Sequence, residues 1–185
     1  MSKLYEPKKV LITPFLAGSI PKGDKELASY VDWRAEYLRV IAKTVEIGPS
    51  IDPNIFYDLE GDSKGVFGAD TYLLTQCTHM IVNATEKLGA GTSMELVIAK
   101  YYGIPVITVL PKDTHHRRSN LEFHGRLVED WIHPYIDIFS DVIIDDISEF
   151  ADALKKLEGK EIKKMNVIDE SVHYAKDLIE KRSMM

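Results

Sequence analysis

Residues 89–110 read GAGTSMELVIAKYYGIPVITVL, and they contain a turn, a helix and a strand in succession. Residues 89–92 predict a tight turn, and residues 93–102 predict a helix that Gly103 closes in a left-handed conformation. Residues 104–110 are apolar and rich in β-branched side chains, which predicts a strand buried on both faces. This stretch therefore indicates an α/β fold with a parallel sheet.

The elements expected on the amino-terminal side continue the same alternation. Apolar runs predict strands over residues 10–17, 55–59 and 79–84. A helix is expected over residues 70–76. A long amphipathic helix that ends before Gly48 and Pro49 is expected after the first strand, because apolar side chains recur at helical spacing at Leu27, Tyr30, Val31, Leu38, Ile41 and Val45.

The carboxyl-terminal side is expected to add one strand and three helices. Residues 121–131 and 147–157 predict helices, and residues 136–144 contain a strand. After a charged connector, EGKEIKK, one face of a terminal helix carries Ile168, Val172, Ala175 and Ile179. We therefore expect an α/β domain over residues 1–160, with residues 161–185 forming a helix that packs on this domain or on a partner subunit.

Strands alternate with helices along the whole chain, which predicts a mostly parallel sheet of about five strands with helices on both faces, in a Rossmann-like or flavodoxin-like arrangement. In such sheets the ligand lies beyond the carboxyl ends of the strands. Three segments are expected there: GSIPKG at 18–23, ATEKLGAGTSME at 84–95 and PKDTHHRRSN at 111–120.

Composition excludes several classes of function. The chain has 185 residues and a net charge of −6, which argues against a nucleic-acid polymer or an anionic membrane as the main partner. A single cysteine cannot form an internal disulfide and is typical of a reducing compartment, so a cytoplasmic protein is expected. The six histidines show no metal-binding spacing, so neither a metal nor a cofactor is expected.

The glycine-bearing turn at residues 89–92 allows two interpretations besides a catalytic one. A dinucleotide-binding fingerprint would need a third glycine where Met94 stands, although Asp113 follows at a suitable distance for a ribose contact. Thr92 and Glu95 also have the spacing of a capping box, in which Glu95 would only stabilise the start of a helix.

Four segments together resemble a known family. They are FLAGSIPKG at 15–23, Asp70-x-x-x-Leu74, HMIVNAT at 79–85 and GAGTSMELVIAKYYGIPVI at 89–107. In this order and spacing they resemble the nucleoside 2-deoxyribosyltransferase superfamily over roughly residues 8–110. The resemblance is closest to its 2′-deoxynucleoside 5′-phosphate N-hydrolase branch.

The resemblance implies roles for individual residues. Glu95 matches the nucleophile, and Asp70 matches the acid that handles the base or a sugar hydroxyl. Ser19 matches a phosphate contact, and Gly91 with Thr92 matches the turn that holds the sugar. With the neighbouring positions and a basic loop, the candidate substrate-binding residues are Phe15, Gly18, Ser19, Asn83, Gly89, Gly91, Thr92 and Arg117. A homodimer or larger homo-oligomer is also implied.

Two positions depart from the family pattern. Phe15 stands where a tyrosine often orients the nucleophile, and Gly89 stands where transferases carry aspartate and nucleotide hydrolases carry serine.

The two acids suit the cleavage of a glycosidic bond. One carboxylate stabilises or bonds to the C1′ atom, which becomes oxocarbenium-like. A second carboxyl group with a raised pKa protonates the leaving base.

The function expected is therefore cleavage of the N-glycosidic bond of a nucleoside or nucleoside 5′-monophosphate.

Arg117 and Arg118 of the HHRRSN loop either close on a phosphate or belong to an exposed mobile loop. Two other functions stay open. One is a phosphoribohydrolase of the cytokinin-activating type, whose usual doubled glycine is replaced by Lys87-Leu88, and the other is a non-catalytic nucleotide sensor.

Overall fold

The computed structural model of the protein describes residues 10–49, 51 and 61–183. Strands and helices alternate through the central part of these residues, whereas near both ends and in a hairpin two elements of the same kind follow each other. In chain order they are β1 (Leu11–Ile12), β2 (Pro14–Ala17), α1 (Gly23–Leu27), α2 (Trp33–Ile41), β3 (Glu46–Ile47), α3 (Ser63–Gln76), β4 (His79–Asn83), α4 (Ala90–Tyr101), β5 (Val106–Val109), β6 (Arg117–Phe123), β7 (Arg126–Ile132), α5 (Pro134–Phe139), β8 (Val142–Ile144), α6 (Phe150–Leu157) and α7 (Asn166–Ser183).

The central sheet is parallel and runs in the order β2-β4-β5-β8. Successive residues of each strand alternate between two hydrophobic clusters, one on each face of the sheet. Helices α3, α4 and α5 cover one face, whereas α2 and α6 cover the other. The predicted fold class, an α/β protein with a mostly parallel sheet and helices on both faces, is confirmed.

The first predicted strand is divided between the central sheet and a separate two-stranded sheet. The strand predicted over residues 10–17 forms β1 and β2, which Thr13 separates, and β1 pairs in parallel with β3. Ile51 forms a parallel bridge to Phe15 of β2, at the edge of the central sheet. The strand predicted over residues 55–59 lies outside the described residues.

The prediction of one long helix before Gly48 is wrong, because the segment forms two shorter helices, α1 and α2. Asp32 lies between them and its carboxylate accepts a hydrogen bond from the Arg34 amide, so a new helix starts there. Val45 still reaches the hydrophobic core, but from the segment that follows α2.

The helix predicted over residues 121–131 is also wrong, since this segment belongs to the antiparallel hairpin of β6 and β7. His124 and Gly125, with φ of 50° and 75°, form the two-residue turn between the strands. Two successive positive φ values are characteristic of the turn whose twist matches a hairpin. Along Arg117–Phe123 more buried side chains alternate with exposed ones, as expected of a strand.

The strand predicted within residues 136–144 is confined to β8, because α5 occupies the first part of that segment. The helix predicted over 147–157 is confirmed as α6 preceded by a short 3-10 helix, Ile147–Glu149. Gly103 ends α4 with φ of 69°, as predicted.

None of the helices among the described residues is both long and apolar enough to cross a membrane.

A buried ion pair holds the carboxyl-terminal connector to the sheet. The Lys100 ammonium, at the end of α4, donates to the Asp141 carboxylate just before β8, and both side chains are inaccessible to solvent. Asp141 also accepts hydrogen bonds from the Val106 amide at 2.7 Å and the Lys163 amide at 2.9 Å. One carboxylate therefore joins α4, β5 and the segment that leads into α7.

Candidate active site

Helices α3 and α4 pack against each other and enclose a cavity of about 290 Å³. Asp70 and Thr71 line it from α3, and Gly91 and Glu95 line it from α4. The other lining residues are apolar: Phe67, Leu74, Ala90, Met94 and Ile98. We call this space the carboxylate cavity, because the two predicted catalytic acids lie together in it.

The capping-box interpretation of Glu95 is wrong, and so is the helix start expected at Asp70. Helix α4 begins at Ala90 with Gly89 as its N-cap, so Thr92 and Glu95 do not occupy the capping-box positions. Helix α3 begins at Ser63, and its N-cap is Asp62. Asp70 therefore lies in the middle of α3, away from the positive end of the helix dipole. Neither carboxylate is needed to start its helix.

The carboxylate cavity raises the pKa of both acids. Burial and, to a smaller extent, the negative charge of Asp70 raise the pKa of Glu95 to about 7, against the opposing effect of the positive charge of Arg34. Burial likewise raises the pKa of Asp70. Two carboxyl groups that disfavour each other's ionisation can hold one proton between them near neutral pH. The pair can therefore supply a carboxylate and a proton donor together.

Arg34 is the site residue that the sequence analysis missed. It is only 3% exposed, and its guanidinium donates from Nε to the Leu16 carbonyl and from Nη1 to the Tyr30 hydroxyl, at 3.3 and 2.9 Å. Its Nη2 is buried and has no hydrogen-bond partner among the described residues. A fixed positive charge with an open donor therefore lies close enough to Glu95 to lower its pKa.

A signal for Arg34 was present in the sequence. Arg34, Tyr37 and Ile41 are the buried residues of α2, and they are spaced three and four apart on one helix face. A charged residue on an apolar stripe indicates a buried charge, which proteins keep mainly for a partner or a function.

A second cavity, of about 490 Å³, lies beside the carboxyl ends of β2 and β4. Ser19 follows β2 and Asn83 ends β4, and both predicted binding residues line this cavity. Its other lining residues are Ile20, Pro21, Glu26, Ser29, Tyr30, Val31, Trp33, Thr85, Glu86 and Lys87. We call it the polar cavity, since hydroxyl, amide and charged groups border it.

Gly18 and Thr92 connect the elements that form the two cavities. The Thr92 hydroxyl, in the first turn of α4, donates to the Gly18 carbonyl at 3.4 Å. A Cβ atom at Gly18 would lie 2.7 Å from the Trp33 ring and 3.2 Å from the Asn83 side chain. Position 18 therefore requires a glycine for the first turn to approach β4 and α4 so closely.

The loop that carries Lys87 is held from the hairpin side. The Leu88 amide donates to Nε2 of His116 at 2.9 Å. Burial, followed by the charges of His115, His133 and Lys87, lowers the pKa of His116 to about 4. The imidazole is therefore neutral near pH 7 and can accept this hydrogen bond.

Five of the predicted binding residues line neither cavity, namely Phe15, Gly18, Gly89, Thr92 and Arg117. Phe15 is fully buried in the hydrophobic cluster that contains Leu74 and Met80, so its ring supports the sheet. Gly89 is the exposed N-cap of α4, and a Cβ atom there would have no neighbour within 4 Å among the described residues. The backbone at Gly89 does not require a glycine.

Arg117 is engaged in structural contacts. It is buried, and its Nε and Nη2 donate to the two carboxylate oxygens of Asp130 at 2.8 and 2.7 Å. Its Nη1 donates to the Leu110 carbonyl at 2.9 Å and to Asp145 at 2.5 Å. These partners join the hairpin to the ends of β5 and β8. For the HHRRSN segment we expected either a contact with a phosphate or an exposed mobile loop. The buried and fully engaged guanidinium of Arg117 agrees with neither.

We expect Arg117→Met to lower the free energy of unfolding by about 2 kcal/mol, because charged hydrogen bonds are lost while the half-exposed carboxylates of Asp130 and Asp145 regain water. Arg118 is exposed, so Arg118→Met serves as the matched control, with a change below about 0.5 kcal/mol. Urea unfolding measures the free energy of unfolding of both variants. Equal stabilities would show that the Arg117 contacts do not hold the hairpin.

Comparisons with known proteins concern the fold. No protein-family model matches the chain, and no curated protein matches it. Among solved structures, a conserved protein from Enterococcus faecalis V583 is 15% identical with a TM-score of 0.50, covering 78% of this chain and 98% of that one. A CMP N-glycosidase from Clostridium botulinum is 16% identical with a TM-score of 0.41, covering 77% and 98%. The chain shares the α/β fold of the Enterococcus protein.

Proposed function

We propose that the protein cleaves the N-glycosidic bond of a nucleoside 5′-monophosphate or nucleoside through Glu95. The observation that carries this proposal is the pairing of Glu95 and Asp70 in one cavity with otherwise largely apolar walls. Such a cavity suits a base and the adjoining sugar carbon, which need apolar contact on one side and carboxylates at the bond that breaks. The family resemblance of residues 8–110 supports the same assignment.

The proposed reaction has two steps. A carboxylate oxygen of Glu95 bonds to C1′, the bond from C1′ to the base nitrogen breaks, and the departing base takes a proton from Asp70. The product is a glycosyl ester of Glu95 with the charges balanced. Water then attacks C1′, gives its proton to Asp70 and releases the Glu95 carboxylate. A second base in place of water would make the reaction a transfer.

The polar cavity is proposed to hold the sugar and the 5′-phosphate. Ser19 and Asn83 offer hydrogen bonds there, and Lys87 offers a positive charge. Lys87 thereby takes the phosphate-binding role that the sequence analysis gave to Arg117, whose guanidinium is engaged with Asp130 and Asp145. The Gly18-Thr92 contact places this cavity next to the start of α4.

Arg34 is proposed to balance the charge of Glu95. Ionisation of Glu95 in a buried cavity is costly, and the guanidinium lowers that cost. Arg34 acts through Glu95 and is therefore a positioning residue.

A non-catalytic nucleotide sensor is the second candidate function. The observation in its favour is Phe15, which is fully buried and offers no hydroxyl to orient the nucleophile. Such a protein would bind nucleotides in the same two cavities without turning them over.

Release of free base from a panel of nucleosides and nucleoside 5′-monophosphates separates these possibilities. Release with water alone identifies a hydrolase, and release only after addition of a second base identifies a transferase. Binding of a nucleotide, measured by calorimetry, without release of base from any panel member would contradict the proposed catalysis and favour the sensor.

The pH dependence follows from the pKa of Glu95, which burial and the charge of Asp70 raise to about 7. The proposed reaction needs one proton on the pair of Glu95 and Asp70, so we expect kcat/KM for base release to fall as the pH rises above about 7, where the pair loses that proton. A kcat/KM that stays constant or rises above pH 7 would contradict a proton shared by the two acids. Unfolding curves at each pH are the control for loss of folded protein.

A further inference from the structure

The terminal helix α7 presents an apolar stripe to solvent. Ile168, Val172 and Ile179 are 39%, 46% and 64% exposed, and Ala175 between them is exposed as well. These four residues lie on one helix face, as the sequence predicts. A stripe of this length on an otherwise mostly polar helix is typical of an interaction surface.

The start of α7 is anchored in cis. The Lys163 amide is bonded to the Asp141 carboxylate, and Val167 packs against the hydrophobic cluster below α4. The body of the domain therefore fixes the position at which the helix begins. Ile168 and the rest of the stripe lie beyond this anchor, on a face that Val167 does not share.

The spacing of the stripe is that of a coiled-coil seam. The steps from Ile168 to Val172, Ala175 and Ile179 are four, three and four residues, which assigns these positions as d, a, d and a of a heptad repeat. In an antiparallel pair of identical helices, Ile168 lies opposite Ile179 and Val172 lies opposite Ala175. The small alanine in the central layers allows the two helices to approach closely.

The charges beside the seam favour the antiparallel orientation. Asp169 and Lys176 occupy successive e positions, and in an antiparallel pair the e positions of the two helices face each other. Each Asp169 then faces a Lys176 of the other copy, twice per dimer. In a parallel pair e faces g, and the g position between them is Ser171, which carries no charge.

We propose that α7 binds α7 of a second copy of this chain in an antiparallel pair, with Ile168, Val172, Ala175 and Ile179 in the seam and Asp169 facing Lys176 across it. The occupant of the stripe is thus the same helix of another molecule. This proposal is independent of the catalytic one, because it uses no residue of either cavity.

A charge swap tests the orientation. Asp169→Lys alone and Lys176→Asp alone place like charges across the seam, so each should weaken the dimer about tenfold at low salt, and the double variant should restore wild-type affinity. Analytical ultracentrifugation measures the dissociation constant. A double variant as weak as the single variants would overturn the antiparallel pairing.

A second pair of variants tests the seam itself. Val172→Glu should make the protein monomeric, whereas Tyr174→Glu, which changes an exposed residue outside the seam, should leave the dimer intact. Circular dichroism shows whether α7 is still helical in both. A wild-type protein that stays monomeric at millimolar concentration, or equal behaviour of the two variants, would overturn the proposal.

Discussion

Asp141→Asn should lower the free energy of unfolding by about 3–5 kcal/mol, because the substitution leaves the buried Lys100 ammonium without its counter-charge. Burial already lowers the pKa of Lys100, and the Asp141 carboxylate is the group that acts against this shift. The amides of Val106 and Lys163 also lose a charged acceptor. The whole attachment of α4 to β5, β8 and the connector is therefore weakened at once.

A matched exposed pair provides the control. Asp152 and Lys155 form an ion pair on the surface of α6, where both side chains are largely exposed. Asp152→Asn should change the free energy of unfolding by less than about 0.5 kcal/mol, since solvent screens such pairs. Urea unfolding compares the two aspartate variants. Equal, small losses would contradict a stabilising role for the buried pair.

Glu95→Gln should reduce base release by about a thousandfold or more, because an amide cannot form the glycosyl ester. The fold should persist, since Glu95 does not cap α4. Glu122→Gln, on the exposed hairpin, is the matched control and should retain wild-type turnover. Turnover of Glu95→Gln within about tenfold of the wild type would exclude Glu95 as the nucleophile.

The same variant has a stability signature. Because the pKa of Glu95 in the folded protein is about 7, above its ordinary value of 4.5, the wild type loses stability as the pH rises through that interval. Glutamine does not ionise and avoids this loss. Glu95→Gln should therefore melt at a higher temperature than the wild type at pH 8, with a smaller difference at pH 5. A pH-independent difference would contradict the raised pKa.

The central part of the fold was predictable because several signals agree there. Apolar β-branched residues in β5, the helical spacing in α4 and a left-handed glycine at position 103 each point to the same arrangement. The hairpin was missed because residues 121–131 also fit a helical apolar spacing. The signal that decides between them is the two-residue turn at His124-Gly125, which stabilises strands of that twist.

The start of α3 was missed for a different reason. Gly65 and Gly68 lower helix propensity, so the segment has the composition of a loop, although Asp62 caps the helix and accepts a hydrogen bond from the Gly65 amide. The error affected the site, because Asp70 was placed at a helix start. Tertiary packing of α3 on α4 overrides the local propensity there.

The sequence indicated the two acids but not their environment. Glu95 and Asp70 came from the family resemblance, whereas their shared cavity depends on how α3 packs against α4. Arg34 is distant from both in sequence and reaches the site because α2 and α4 both contact β2 and the turn after it. Burial and convergence of charges are properties of the packed structure, and they determine the pKa values on which the proposed chemistry depends.

The stereochemistry of sugar transfer tests the proposed double displacement most directly. With methanol as the acceptor, the anomeric configuration of the methyl glycoside formed from a β-nucleotide is read by NMR. Two successive displacements at C1′, the first by an enzyme carboxylate, predict the β-glycoside, with retention of configuration. Formation of the α-glycoside would mean that the acceptor attacks the nucleotide directly, and it would contradict a glycosyl ester on Glu95.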